Sequence, residues 1–164
     1  GVWTRDVDEL RAKLEAAGVD TGADRTWAQL IDHAYSHFVE PELIQPTFVL
    51  DWPIELSPFA HRTDDDPNLV ERFESVISGM ELANAFSELN DPDEQAERFE
   101  MQAAEREAGA TTAEEGDPDY VEAMSYGMPP NSGCGIGIDR LAMVLTGRDT
   151  IRDVVLFPAL REKS

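Results

Sequence analysis

Residues 72–88 constrain what this chain can fold into more than any other stretch. Arg72–Ile77 is a β-type run, Gly79 interrupts it, and Glu81–Glu88 follows with apolar and polar residues in turn. Two such runs separated by a glycine predict an antiparallel hairpin. Alternation along the second arm puts Asn84, Phe86 and Glu88 on one face. Glu74 and Glu81 lie on the two arms, where their carboxylates can point together across the hairpin. Simple parity nevertheless turns Glu81 away from Asn84 and Glu88. For all of them to reach one place, the strand needs a bulge or strong twist between Glu81 and Asn84. A sheet face carrying several carboxylates is either solvated or neutralised by cations, from a metal or from a ligand. Both readings stand on spacing alone.

Short elements punctuated by proline and glycine surround this hairpin. Val7, Leu10 and Leu14 predict a helix over 6–17 with a stop at Gly18. Thr26 and Gln29 form a capping box, and Trp27, Leu30, Ile31, Ala34, Tyr35 and Phe38 supply an amphipathic face behind it. Pro41 and Pro46 end that helical segment, and Thr47–Leu50 is a further β-type run. Asp91, Pro92 and Glu94 mark the start of an acidic helix reaching Ala108, read as a solvent face with i,i+4 pairs such as Glu94–Arg98. Residues 109–116 are small and polar, as in a mobile loop, and Asp117-Pro118 opens another short helix. The Gly-rich run 133–137 precedes a helix from Asp139 to Leu145, with Gly147 as its stop. No internal repeat is present. The expected fold class is α+β: a mixed, mainly antiparallel sheet flanked by helices.

Charge narrows the partners. The 164 residues carry a formal net charge of −21, unevenly spread: 19 acidic against 3 basic residues between Asp64 and Glu122, but 5 basic against 4 acidic from Asn131 onward. Such an acidic chain cannot neutralise phosphates well enough to bind nucleic acid by itself. No apolar run is long enough to span a membrane, and no signal-peptide pattern begins the sequence, so a soluble cytoplasmic protein is expected. One cysteine, Cys134, permits no intrachain disulfide.

Smaller motifs carry less. Gly133, Gly135 and Gly137 with Arg140 fit a phosphate-approaching turn as well as a plain tight strand-to-helix connection; their spacing matches neither the dinucleotide nor the Walker pattern. His33 and His37 share a helix face but lack the intervening Glu of a zinc protease helix. Cys134 has no evident His or Asn partner for a nucleophile's role.

Two of these stretches, Glu81-Leu-Ala-Asn-Ala-Phe-Ser-Glu-Leu-Asn-Asp91 and Gly135-Ile-Gly-Ile-Asp-Arg140, closely resemble the C-terminal part of class II lysyl-tRNA synthetases, the second being similar to class II motif 3. Leu43-Ile-Gln-Pro-Thr-Phe48, Pro53-Ile-Glu-Leu-Ser-Pro58, Tyr126-Gly-Met-Pro-Pro130 and Ile151-Arg-Asp-Val-Val-Leu-Phe-Pro158 extend the resemblance over almost the whole chain. The Phe-Ser-Glu-Leu-Asn-Asp run separates it from the aspartyl and asparaginyl enzymes. The resemblance implies that Glu74 and Glu81 hold Mg²⁺ on the phosphates of ATP, and that Arg140 contacts the γ-phosphate beside Gly135 and Gly137. It further implies that Glu88 pairs with the ε-ammonium of lysine, with Asn84 and Phe86 beside it. The expected reaction is lysine activation by ATP to an adenylate, then transfer to tRNA.

Motif 1, motif 2 and an anticodon-binding OB-fold have no counterpart in these residues. The expectation is therefore one partial catalytic domain over 1–164: a helical segment at 1–40, strands and hairpin at 46–91, a helical insertion at 92–130, and motif 3 with its tail at 131–164. As a fragment it should be inactive, with tRNA held by upstream parts of a parent that is a homodimer. A paralogue that lysylates a protein, and a non-catalytic lysine- or nucleotide-binding module, are the alternative readings.

Overall fold

A computed structural model describes residues 2–110 and 113–158. Helix α1 (Val7–Ala16) begins where Asp6 accepts a hydrogen bond from the Glu9 amide, and Gly18 follows its end at a left-handed φ of 88°. Helix α2 (Trp27–Phe38) starts with both halves of the Thr26–Gln29 capping box in place. Its inner face joins α1 in a first core of Leu10, Leu14, Val19, Trp27 and Leu30.

Four strands follow: β1 (Thr47–Pro53), β2 (Leu69–Ile77), β3 (Met80–Ser87) and β4 (Ser132–Ile136). They form one antiparallel sheet in the order β1-β2-β3-β4. The α+β class with a mainly antiparallel sheet is the observed architecture. Ser78 and Gly79 close the β2–β3 hairpin with φ of 55° and 69°, the two positive values of a two-residue primed turn. A second core, Trp52, Ile54, Ala60 and Val70, receives Tyr35, Val49, Leu56 and Phe86. Tyr35 links α2 to the sheet, its ring 4.9 Å from that of Trp52 and edge-on.

Between β3 and β4 the chain makes α3 (Pro92–Glu107), capped by Asp91, and α4 (Pro118–Ser125), capped by Asp117. Helix α5 (Ile138–Thr146) closes the described fold before a 3₁₀ turn at Ile151–Asp153. Among the described residues no helix is long and apolar enough to cross a membrane.

Two expectations change. The glycine run is not merely a turn: residues 132–136 are strand β4, and only Gly137 stands at the helix start. Glycine is tolerated there because β4 is held by pairing with β3 rather than by its own side chains. Helix α3 is also not a simple solvent face. The Glu94–Arg98 pair exists at 2.7 Å, but Arg98 is only 1% exposed and Gln95 and Gln102 are buried beside it.

Candidate functional site

The hairpin register brings the carboxylates together. Asn84 pairs with Glu74 and Ala83 with Ser75, but Glu81 pairs with Val76, so Leu82 is the extra residue of a bulge. The bulge resets the parity of Glu81 and returns it to the face that carries Glu74, Asn84 and Phe86. Strand β4 adds Gly133 opposite Phe86 and Gly135 opposite Asn84 on that same face. The two glycines add no side chain of their own to this part of the sheet.

Glu74 is 8% exposed, and its Oε1 accepts from Arg72 Nη2 at 2.5 Å. Burial pushes its carboxyl up to about 7; Arg72 pulls the other way, while Glu81, Glu40 and Asp32 push it further up. Glu81 holds Arg140, whose Nη1 donates to the Glu81 carbonyl at 2.6 Å and approaches Oε2 at 3.4 Å. Arg140 lies in the first turn of α5, whose N-cap Gly137 offers no side-chain bond, so the helix's first N–H groups remain available to an anion. A groove of about 410 Å³ is lined by Glu81, Asn84, Gly135, Gly137 and Arg140 together with Leu82, Ala83, Ile136, Asp139 and Ile151.

Glu88 completes the face. Its Oε1 lies where a Cβ on Gly133 would come within 2.6 Å, so a larger residue there would push the carboxylate aside. Burial raises the Glu88 carboxyl above the usual carboxylate range. None of the salt bridges among the described residues supplies it with a cation.

Arg72 enters the sequence reading only as the start of a β-type run, yet it sits at the centre. Its Nε donates to Asn84 Oδ1 at 3.1 Å, and its Nη1 donates to Leu56 O at 2.9 Å and to Ser57 Oγ at 2.8 Å. The guanidinium also lies 4.7 Å from the centroid of the Trp52 ring. One signal could have exposed it: Arg72 is two residues before Glu74, hence on the same face, and is one of 3 basic residues in an acidic stretch.

Other candidates fall away. His33 Nδ1 is bonded to Asp24 Oδ2 at 2.9 Å, and His37 packs edge-on against Phe38. Cys134 is exposed and free on the opposite face of the sheet. No group of three or more His, Cys, Asp or Glu suited to a metal occurs among the described residues. Two carboxylates alone can still serve Mg²⁺, which characteristically takes one or two protein carboxylates and completes its shell with water and phosphate oxygens.

The model of the tRNA synthetases class II (D, K and N) matches residues 5–161. The chain belongs to that family. The lysine–tRNA ligase of Helicobacter pylori strain P12 is 54% identical to it over 98% of this chain and 33% of its own length. The lysine–tRNA ligase of Chloroflexus aurantiacus is 49% identical over 97% of this chain and 32% of its own. That of Aliarcobacter butzleri is 51% identical over 95% and 31%. This family member thus spans about a third of the length of the relatives it matches.

Proposed function

We propose that this chain is the lysine- and phosphate-binding part of a lysine–tRNA ligase, which activates lysine with ATP and transfers it to tRNA. The observation that carries the reading is Glu88: a partly buried carboxylate, packed over Gly133, with no cation paired to it among the described residues. A lysine ε-ammonium supplies the missing charge, and a shorter or neutral substrate leaves the carboxylate unpaired. Phe86 covers one side of that pocket, and Asn84 offers its amide beside it.

At the other end of the face, Glu74 and Glu81 would hold Mg²⁺. Their mutual repulsion, part of what raises Glu74, is relieved by a cation. When bound, the metal would neutralise phosphate charge at the reacting centre. Arg140 would leave its contact with Glu81 and engage the terminal phosphate, while Gly135, Gly137 and the start of α5 let the triphosphate approach the backbone. The lysine carboxylate oxygen then attacks the α-phosphorus, the bond to the bridging oxygen breaks, and pyrophosphate leaves with the electron pair. The net charge of −21 supports a division of labour in which other parts of the protein grip the tRNA. We further propose a cytoplasmic homodimer, with residues 1–164 a partial catalytic domain.

Glu88→Gln in the full-length protein tests the reading by ATP–pyrophosphate exchange. The KM for lysine is expected to rise by about a hundredfold, as when a charge-assisted pair is lost, and that for ATP far less. Equal losses for both substrates would contradict the assignment. In the same assay the 164 residues alone, which contain no motif 2 arginine, are expected to give no exchange.

A further inference from the structure

We propose that Arg72 is the positioning residue of this site: it fixes the orientation of the Asn84 amide and the aim of the Glu74 carboxylate with a single guanidinium. The inference rests on the lysine–tRNA ligase reading given above. All three nitrogens of the guanidinium are engaged. Nε donates to Asn84 Oδ1 at 3.1 Å, Nη2 to Glu74 Oε1 at 2.5 Å, and Nη1 to Leu56 O at 2.9 Å and Ser57 Oγ at 2.8 Å. The plane is further held over Trp52, at 4.7 Å from the ring centroid.

The chemistry of the fork decides what Asn84 presents. A guanidinium has donors and no acceptor, so the Asn84 amide must turn its oxygen toward Arg72. Its Nδ2–H₂ is then the end left for a ligand, and that end recognises an acceptor oxygen. Without Arg72 the amide can present either end, and half of that ambiguity works against an anionic group. Arg72 also reaches past the sheet. Leu56 and Ser57 belong to the 3₁₀ turn and its end after β1, 16 and 15 residues away in sequence, so the fork ties the site to a second element. Lysine cannot replace it, because one ammonium nitrogen cannot serve four acceptors in fixed directions.

Lysine-dependent ATP–pyrophosphate exchange and thermal melting of the full-length protein provide the test. Arg72→Lys is expected to raise the KM for lysine by about tenfold, the order of a lost charge-assisted hydrogen bond, with a smaller change in kcat. The double variant Arg72→Lys/Asn84→Ala is expected to have the lysine KM of Asn84→Ala alone, because Arg72 acts through that amide. Should Arg72→Lys lose its cooperative melt, Ser57→Ala removes one anchor of the fork without touching the site, and its lysine KM is expected to rise in the same direction. An unchanged KM in the variant that folds, or KM factors that multiply in the double variant, overturns the role of Arg72. Failure of the wild-type protein to show lysine-dependent exchange overturns the ligase reading itself, and this inference with it.

Discussion

Glu74 shows how a single residue can be set by opposing forces. The carboxyl is buried, and burial lifts it from its usual 4.5 to about 7; Arg72 opposes that lift, and the like charges of Glu81, Glu40 and Asp32 add to it. The folded state therefore binds a proton that the unfolded chain has already released between those two values. The stabilisation from protonated Glu74 is fully present below about 4.5 and is lost as pH rises through about 7. A divalent cation favours the opposite, ionised form and competes with that proton. In the full-length protein with ATP, the rise in Tm on adding Mg²⁺ is expected to be larger at pH 8 than at pH 6, and Glu74→Gln should remove the difference. Scanning fluorimetry checks this directly. Equal Mg²⁺ shifts at both pH values in the wild type would separate Glu74 from the metal.

At the scale of elements, α3 buries three polar side chains, Gln95, Arg98 and Gln102, beside a single apolar one, Phe99, which packs edge-on to Phe59 at 5.8 Å. Gln95 Nε2 donates to Pro58 O at 3.1 Å and Gln102 Nε2 to Glu55 O at 3.3 Å. Between them, Arg98 and Arg62 converge on the same Glu94 oxygen at 2.7 and 2.6 Å. Burial raises the Glu94 carboxyl, but the two guanidinium groups outweigh it and hold the group below the usual carboxylate range. Among the described residues Arg98 Nε and Nη1 have no hydrogen-bond partner, so Glu94 is its main compensation. Glu94→Gln would strand that buried charge, and a loss of about 3 kcal/mol is expected in urea unfolding of the chain. Arg98→Met in the same background should recover part of it; no recovery would show that the loss has another source.

This element also marks where sequence reading stops. The Asp91 cap and the Thr26–Gln29 box were legible because a cap is decided within four residues. The need for a bulge or strong twist between Glu81 and Asn84 was legible from parity, and the bulge at Leu82 is the form it takes. The buried side of α3 was not, because Gln95, Arg98 and Gln102 follow helical spacing in polar residues, which hydrophobic periodicity ignores. Strand β4 and the role of Arg72 were hidden for a related reason. Gly133 and Gly135 have no strand preference of their own, and Arg72 gains its meaning from Leu56 and Ser57, which only folding brings near.

For the whole molecule, the two faces of the sheet set opposite tendencies. One carries Glu74, Asn84 and Phe86; the other carries Phe48, Leu50, Phe73, Cys134 and Ile136, by the pairing of Phe48 with Ser75, Leu50 with Phe73 and Ala83 with Ile136. Phe48 is 66% exposed, Leu50 59% and Ile136 55%, and the Phe48 ring is 5.3 Å from that of Phe73. Contiguous apolar surface of this kind favours association. The net charge of −21 opposes it, because two copies of so acidic a chain repel one another. Salt decides which tendency wins. The reach of charge repulsion falls from about 30 Å at 0.01 M ionic strength to about 3 Å at 1 M, whereas apolar attraction persists. The 164-residue chain is therefore expected to sediment as a monomer at low salt and to associate reversibly at high salt. Phe48→Thr/Ile136→Thr should keep it monomeric and reduce its binding of a hydrophobic dye under both conditions. Salt-driven association of undiminished strength in that double variant would place the sticky surface elsewhere, and the exposed Leu145 side of α5 would be the next face to test.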